Sequence, residues 1–159
     1  MAPILSFTAE EAWQVMTASD EKSVFEEVYH PIPDHGLAPA ALEDWAEIRK
    51  VRELGAKKVE EKREAKQVGS SLAAELDVQA GGRTYEALAR LGEDLRFVFI
   101  TSRATVHRAD GAEASVQVTP SAHAKCERCW HYRADVNAEG LCGRCESNLH
   151  GAGEKRVHA

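Results

Sequence analysis

Cysteine is missing from the first three-quarters of the chain: all four cysteines fall between Cys126 and Cys145. A disulfide framework would spread its bridges through a small secreted fold, so this clustering argues for metal binding in a reducing compartment. Long apolar runs are missing too. Phe97-Val98-Phe99-Ile100 is the longest stretch of large apolar side chains, far short of the roughly 20 residues that cross a bilayer. No basic N-terminal segment leads into an apolar core, as a secretory leader would. These absences predict a cytoplasmic protein with no membrane partner. Basic charge is not in surplus either, and a formal net charge of −6 argues against non-specific coating of nucleic acid, leaving local patches to be read separately. There is no Gly-rich phosphate loop, no serine or cysteine nucleophile with a spaced histidine and acid, no second metal cluster, no internal repeat and no low-complexity tract.

What is present is a chain of 159 residues, 43% hydrophobic and 29% charged, the make-up of one ordinary folded domain or two small ones. Met1-Ala2-Pro3-Ile4-Leu5 runs at once into a helix signal, which predicts a segment of a longer protein. Thr8 and Glu11 have the spacing of a capping box, predicting a helix from Ala9 to Thr17 with Trp13 and Met16 on one face. Val28 to Gly36, with Pro31 and Pro33, reads as a linker. From Pro39 to Lys66 the apolar residues Leu42, Trp45, Ile48 and Val51 recur at helical spacing, with Leu54-Gly55 and Val59 extending the stripe less cleanly, so one long amphipathic helix is predicted.

Towards its end that helix carries Arg49, Lys50, Arg52, Lys57, Lys58, Lys62, Arg63 and Lys66 against Glu53, Glu60, Glu61 and Glu64, eight minus four, a local net of +4. Two readings stand: a solvated face laced with helix salt bridges, or a phosphate-binding surface in which Lys57, Lys58 and Lys62 are candidates. Beyond Gly69-Ser70-Ser71, the alternation of Leu72, Ala74, Leu76 and Val78 with Glu75, Asp77 and Gln79 predicts a half-buried strand, closed by Gly81-Gly82. A helix over Thr84–Leu91 and a buried strand over Leu95–Ser102 follow. Ala104–His107 and Ser115–Thr119 are two further short strands separated by the turn-forming Asp110-Gly111. The fold class is therefore α+β: a long amphipathic helix and a small α/β module followed by a four-cysteine zinc knuckle. The expected division is 1–38, 39–120 and 121–159.

The most specific signal is Cys126-Glu127-Arg128-Cys129 paired with Cys142-Gly143-Arg144-Cys145. Two residues between cysteines let one tight turn present both sulfurs to one ion, and two such turns complete the tetrahedron that zinc prefers. Four thiolates leave no position open for water or substrate, so one structural Zn2+ is expected, with the metal supplying much of the knuckle's folding energy. His123, His131 and His150 are potential competing ligands, but the shell is already full. Lys125, Arg128, Arg133 and Arg144 surround the motif and Lys155 and Arg156 follow it, while Trp130 and Tyr132 are planar groups able to stack on an unpaired base. The structural alternative is that Trp130 packs over the cysteines and Tyr132 sits at their edge.

Lys125 to Tyr132, Leu141-Cys142-Gly143-Arg144-Cys145, Asn148-Leu149 and the ending Gly151 to Arg156 closely resemble the C-terminal zinc segment of bacterial isoleucyl-tRNA synthetases. Pro3 to Trp13 is similar to the end of the helical anticodon-binding domain in that family. Val51-Arg52, Val68 to Leu72 and Glu93 to Val98 also match its pattern. The resemblance implies a class I synthetase that joins isoleucine to its tRNA with ATP, this region gripping the tRNA far from the reaction. It implies Cys126, Cys129, Cys142 and Cys145 as zinc ligands, the tRNA for isoleucine and the remaining synthetase domains as partners, a monomer, and ATP bound only in a catalytic domain outside this chain. The family's His-x-Gly-His and Lys-Met-Ser-Lys-Ser signatures are absent, so this segment by itself is expected to be inactive. Two rivals are a formamidopyrimidine-type DNA glycosylase, which ends in a related finger but uses an N-terminal proline nucleophile, and a zinc scaffold with no RNA role.

Overall fold

The computed structural model describes residues 2–18, 21–34, 36–111 and 113–154. The chain forms two compact units, one up to Gly36 and one from Leu37 onward. Among the described residues no helix is long and apolar enough to cross a membrane.

In the first unit, helix α1 spans Ser6–Thr17. It begins before the capping box predicted at Thr8 and Glu11: Leu5 is the N-cap residue, with no side-chain cap. Thr8 lies inside the first turn, too late to cap it. Ser6 Oγ donates instead to the carbonyl of Ala2 at 3.1 Å. The return of the chain is held by Glu10, whose carboxylate accepts from Ser23 Oγ at 2.8 Å and from the Val24 amide at 2.9 Å, and by Trp13 Nε1 donating to the Lys22 carbonyl. Residues 28–34 have no regular structure, as Pro31 and Pro33 dictate.

The second unit is organised by α2, Pro39–Glu64, which starts with proline at its first turn and carries Lys62 and Arg63 in its last, both favourable to a helix dipole. Ile48, Val51, Gly55 and Val59 are buried on one face, and Leu42 remains about half exposed. Gly55 is needed because a Cβ there would lie 2.9 Å from two ring carbons of Phe99. That face covers a three-stranded sheet ordered β2-β1-β3. Strand β1, Ala74–Ala80, pairs in parallel with β2, Arg103–Arg108, and antiparallel with β3, Ser115–Pro120. The two later strands therefore flank β1 on opposite edges and do not pair with each other across Asp110-Gly111. A parallel pair needs a long crossover, supplied here by α3, Gly82–Ala89, and α4, Leu95–Phe99.

Helix α4 corrects the predicted strand over Leu95–Ser102. A 3-10 turn at Gly92–Asp94 feeds straight into it. Leu95 and Phe99, four apart, are the residues that α4 buries, a helical spacing. Ile100 then ends the helix in the left-handed region. Polar order is set by Asp44 on α2, whose carboxylate accepts from Arg83 at 2.8 Å and Arg90 at 2.6 Å, tying α3 to α2.

The last segment is a small knuckle: β4, Ala124–Lys125, pairs antiparallel with β5, Tyr132–Arg133, and α5 spans Gly143–His150. It is docked on the sheet module by few contacts. The Ser102 hydroxyl donates to the Leu72 carbonyl and accepts the Tyr132 amide at 2.5 Å. The Ser121 amide donates to Ala73 O at 2.8 Å, its hydroxyl donates to the buried Glu75 at 2.6 Å, and Phe97 meets His131 edge to face with ring centroids 5.7 Å apart.

Candidate metal centre and the basic residues around it

The two Cys-x-x-Cys turns are built by their own backbones. In the first, the Trp130 amide donates to Cys126 O and the Cys126 amide to His131 O, each at 2.9 Å, closing a turn that aims both sulfurs the same way. Trp130 completes that turn in the left-handed region, at φ 65°. In the second, Cys142 is the N-cap of α5, and Asp135 accepts from the Gly143 amide at 3.1 Å. The Glu127 amide donates to Gly140 O at 2.9 Å and brings the turns together. Cys126, Cys142 and Cys145 are buried, with Cys129 nearer the surface.

The four Sγ atoms all lie within 4.8 Å of one another, and Cys129 Sγ and Cys142 Sγ are 3.7 Å apart. A tetrahedron with Zn–S bonds of about 2.3 Å has edges of about 3.8 Å. The donor set therefore fits one zinc, with a closed shell. Burial resists charge on Cys126, but the amides of Cys129, Cys142 and Arg128 outweigh it and bring that thiol down to about 6. Burial pushes Cys129 up to about 12 and raises Cys142.

The three histidines lie outside this set. His131 Nδ1 stands 3.1 Å from the Cys129 carbonyl, so that nitrogen carries the proton, and Nε2 is buried with no hydrogen-bond partner. Burial lowers the pKa of His131, opposed by that carbonyl and reinforced by Arg96, Arg144 and Arg133. His123 lies 3.8 Å from Glu75, and His150 ends α5.

The planar and basic candidates divide by how each is already used. Trp130 is 59% exposed, which removes the reading that it packs over the cysteines, and Lys125 Nζ lies 5.7 Å from its ring centroid. Tyr132 is half-buried. Arg133 stands 3.5 Å from Asp135. Arg144 is held by both oxygens of Glu154, at 2.5 and 2.9 Å, and lies over the Phe97 ring at 5.0 Å. Arg128 turns inward to Cys145 Sγ. On α2, Lys58 pairs with Glu61 at 2.8 Å and Lys62 donates to Gln67 at 2.9 Å, while Arg63 pairs with Glu60 and Lys50 with Glu47. That is the laced surface expected of a solvated helix; Lys57 is exposed. Lys155 and Arg156 lie outside the described residues.

Two residues beside the knuckle were not among the candidates, Arg96 and Phe97. Arg96 caps the Phe97 ring from the side chain next to it, at 4.7 Å, and burial together with Arg133 and Arg144 depresses its pKa. The sequence predicts a strand where they form a helix, which hides the face that Phe97 presents to His131.

Residues 125–148 match the family described as "Zinc finger found in FPG and IleRS". An isoleucine–tRNA ligase of Bordetella petrii is 52% identical over 171 aligned residues, which take in 100% of this chain and 18% of that protein. Isoleucine–tRNA ligases of Cupriavidus taiwanensis and Paraburkholderia xenovorans are 52% and 51% identical, again over 100% of this chain and 17% of each relative. The chain spans less than a fifth of the length of these relatives. It is similar along its whole length to the C-terminal region of bacterial isoleucyl-tRNA synthetases.

Proposed function

We propose that this chain is the C-terminal, zinc-holding and tRNA-binding region of an isoleucine–tRNA ligase, a class I synthetase whose ATP-dependent chemistry is carried by other domains. The observation that carries the reading is identity of about half the residues over the whole chain, to relatives that are all isoleucine–tRNA ligases. The finger match by itself does not separate this reading from a DNA glycosylase, because its description names both families; identity extending through α2 and the sheet does. In this reading Cys126, Cys129, Cys142 and Cys145 ligate one structural zinc, and the chain acts in the cytoplasm as part of a monomeric enzyme. Its RNA partner is the tRNA for isoleucine. The division at 1–38, 39–120 and 121–159 corresponds to the end of the anticodon-binding domain, the sheet module and the zinc segment.

When bound, zinc supplies cross-linking and no Lewis-acid step, since four sulfurs fill its shell. RNA recognition then falls first to Trp130 and Lys125, exposed planar and cationic groups of the knuckle, with the half-buried Tyr132, Arg133 and Arg144 as further candidates. A base stacked on Trp130 would contribute about 1–3 kcal/mol. Lys57, Lys58 and Lys62 are secondary candidates, two of them already engaged on their own helix. The test is the affinity of the zinc-loaded chain for isoleucine tRNA and for a non-cognate tRNA across a salt series. Preferential binding that weakens steeply with salt is expected; negligible binding at low salt would overturn the RNA reading of this surface.

A further inference from the structure

Four thiolates on one divalent zinc leave a net charge of −2 on a centre where three of the sulfurs belong to buried residues. Charge taken out of water has to be offset by nearby donors. The Cys142 amide donates to Cys126 Sγ at 3.3 Å, a main-chain contact. At Cys145 Sγ a donor of a different kind, Nη1 of Arg128, lies 3.7 Å away. A main-chain donor is set by the turn and survives substitution. This one is a side chain, and it brings a full positive charge.

We infer that Arg128 is a positioning residue of the metal centre: its guanidinium reaches from the first Cys-x-x-Cys turn to the last sulfur of the second, offsets part of the centre's charge and so slows release of zinc. This takes Arg128 out of the RNA contacts suggested by its place in the motif. The inference rests on the zinc assignment and not on the tRNA reading. Arg128 also bridges the two turns, beside the Glu127 to Gly140 and Cys142 to Cys126 hydrogen bonds, so the same contact helps to resist their separation. A lysine would keep the charge but lose the planar fork that reaches sulfur with a fixed N–H direction.

The test uses the full chain loaded with zinc, as wild type, R128M and R128K, in competition with a chromophoric chelator, with metal content measured by mass spectrometry. Wild type is expected to hold one zinc. R128M should yield it to the chelator about tenfold more readily, the low end for loss of an outer partner of a metal ligand, because the outer side of Arg128 is exposed. R128K should fall between them. Unchanged amide dispersion of the knuckle in loaded R128M would show that the effect is not misfolding; if R128M does not load at all, R128K supplies the comparison. Wild type without zinc would overturn the metal assignment and this inference together. Wild type with zinc, beside variants that hold it equally well, would overturn this inference alone, as would an R128M protein that keeps its grip on zinc yet loses tRNA affinity.

Discussion

Replacing Ser102 with alanine should loosen the knuckle from the sheet without touching a metal ligand. The Ser102 hydroxyl is 1% exposed as part of its residue and serves two masters, donating to Leu72 O and accepting from the Tyr132 amide. Alanine leaves both groups without a partner, and it opens too small a space for water to serve both. An unsatisfied group of this kind costs about 1–3 kcal/mol, which for a unit of this size lowers the melting temperature by roughly 4–12 °C. The local effect is more telling than the global one. Hydrogen exchange at the Tyr132 amide should accelerate about tenfold or more relative to β1, while zinc content stays at one per chain. S121A is the control: it removes another docking hydroxyl, one bonded to Glu75 and not to the Tyr132 amide, and should leave that amide protected. An S102A protein that melts within about 1 °C of wild type, with Tyr132 exchange unaltered, would refute the claim that this hydroxyl docks the knuckle.

Substituting Gly55 with alanine gains about 1 kcal/mol of helix propensity but drives a methyl against the Phe99 ring, where overpacking costs about 1–3 kcal/mol; a lower urea midpoint is expected, and a higher one would show that Phe99 yields freely. C142S should abolish zinc binding and collapse the amide dispersion of residues 121–154 while α2 and the sheet keep theirs, and retained dispersion in that segment would count against coupling of metal to folding. Asp44 sits below its ordinary 3.8 because Arg83 hydrogen-bonds its ionised form, with burial opposing and Arg90 assisting. Its contribution is therefore full above about pH 4 and lost as pH falls through the lowered value. D44N should thus differ most from wild type near neutrality and converge with it in acid, as unfolding midpoints against pH would reveal; parallel curves would sink the assignment.

Much of this architecture is legible in the residues themselves. Helix α2 announces itself because Leu42, Trp45, Ile48 and Val51 recur at helical spacing, with Leu54-Gly55 and Val59 extending the stripe less cleanly, and the metal set because two short motifs place four sulfurs with little freedom. Leu95–Ser102 misleads for the opposite reason: the apolar run at its centre, Phe97-Val98-Phe99-Ile100, has no period, and only the packing of Leu95 and Phe99 against their neighbours chooses helix. Asp110-Gly111 suggests a hairpin, yet strand partners are chosen by which edges of β1 the crossover helices leave open, a tertiary matter. The basic residues of the knuckle show the limit most clearly. Arg128 and Arg133 look alike in sequence, and whether a guanidinium faces a sulfur or a carboxylate depends on turns that only the assembled metal site imposes.

At Trp130 the backbone and the side chain pull in opposite directions. A non-glycine residue in the left-handed region carries a cost of about 1–2 kcal/mol, and glycine would sit at φ 65° without strain. The part of the indole that is buried returns an amount of the same order. W130G should therefore change the stability of the knuckle little, relief of the backbone offsetting the lost contacts. At this turn stability is close to indifferent between an indole and a glycine.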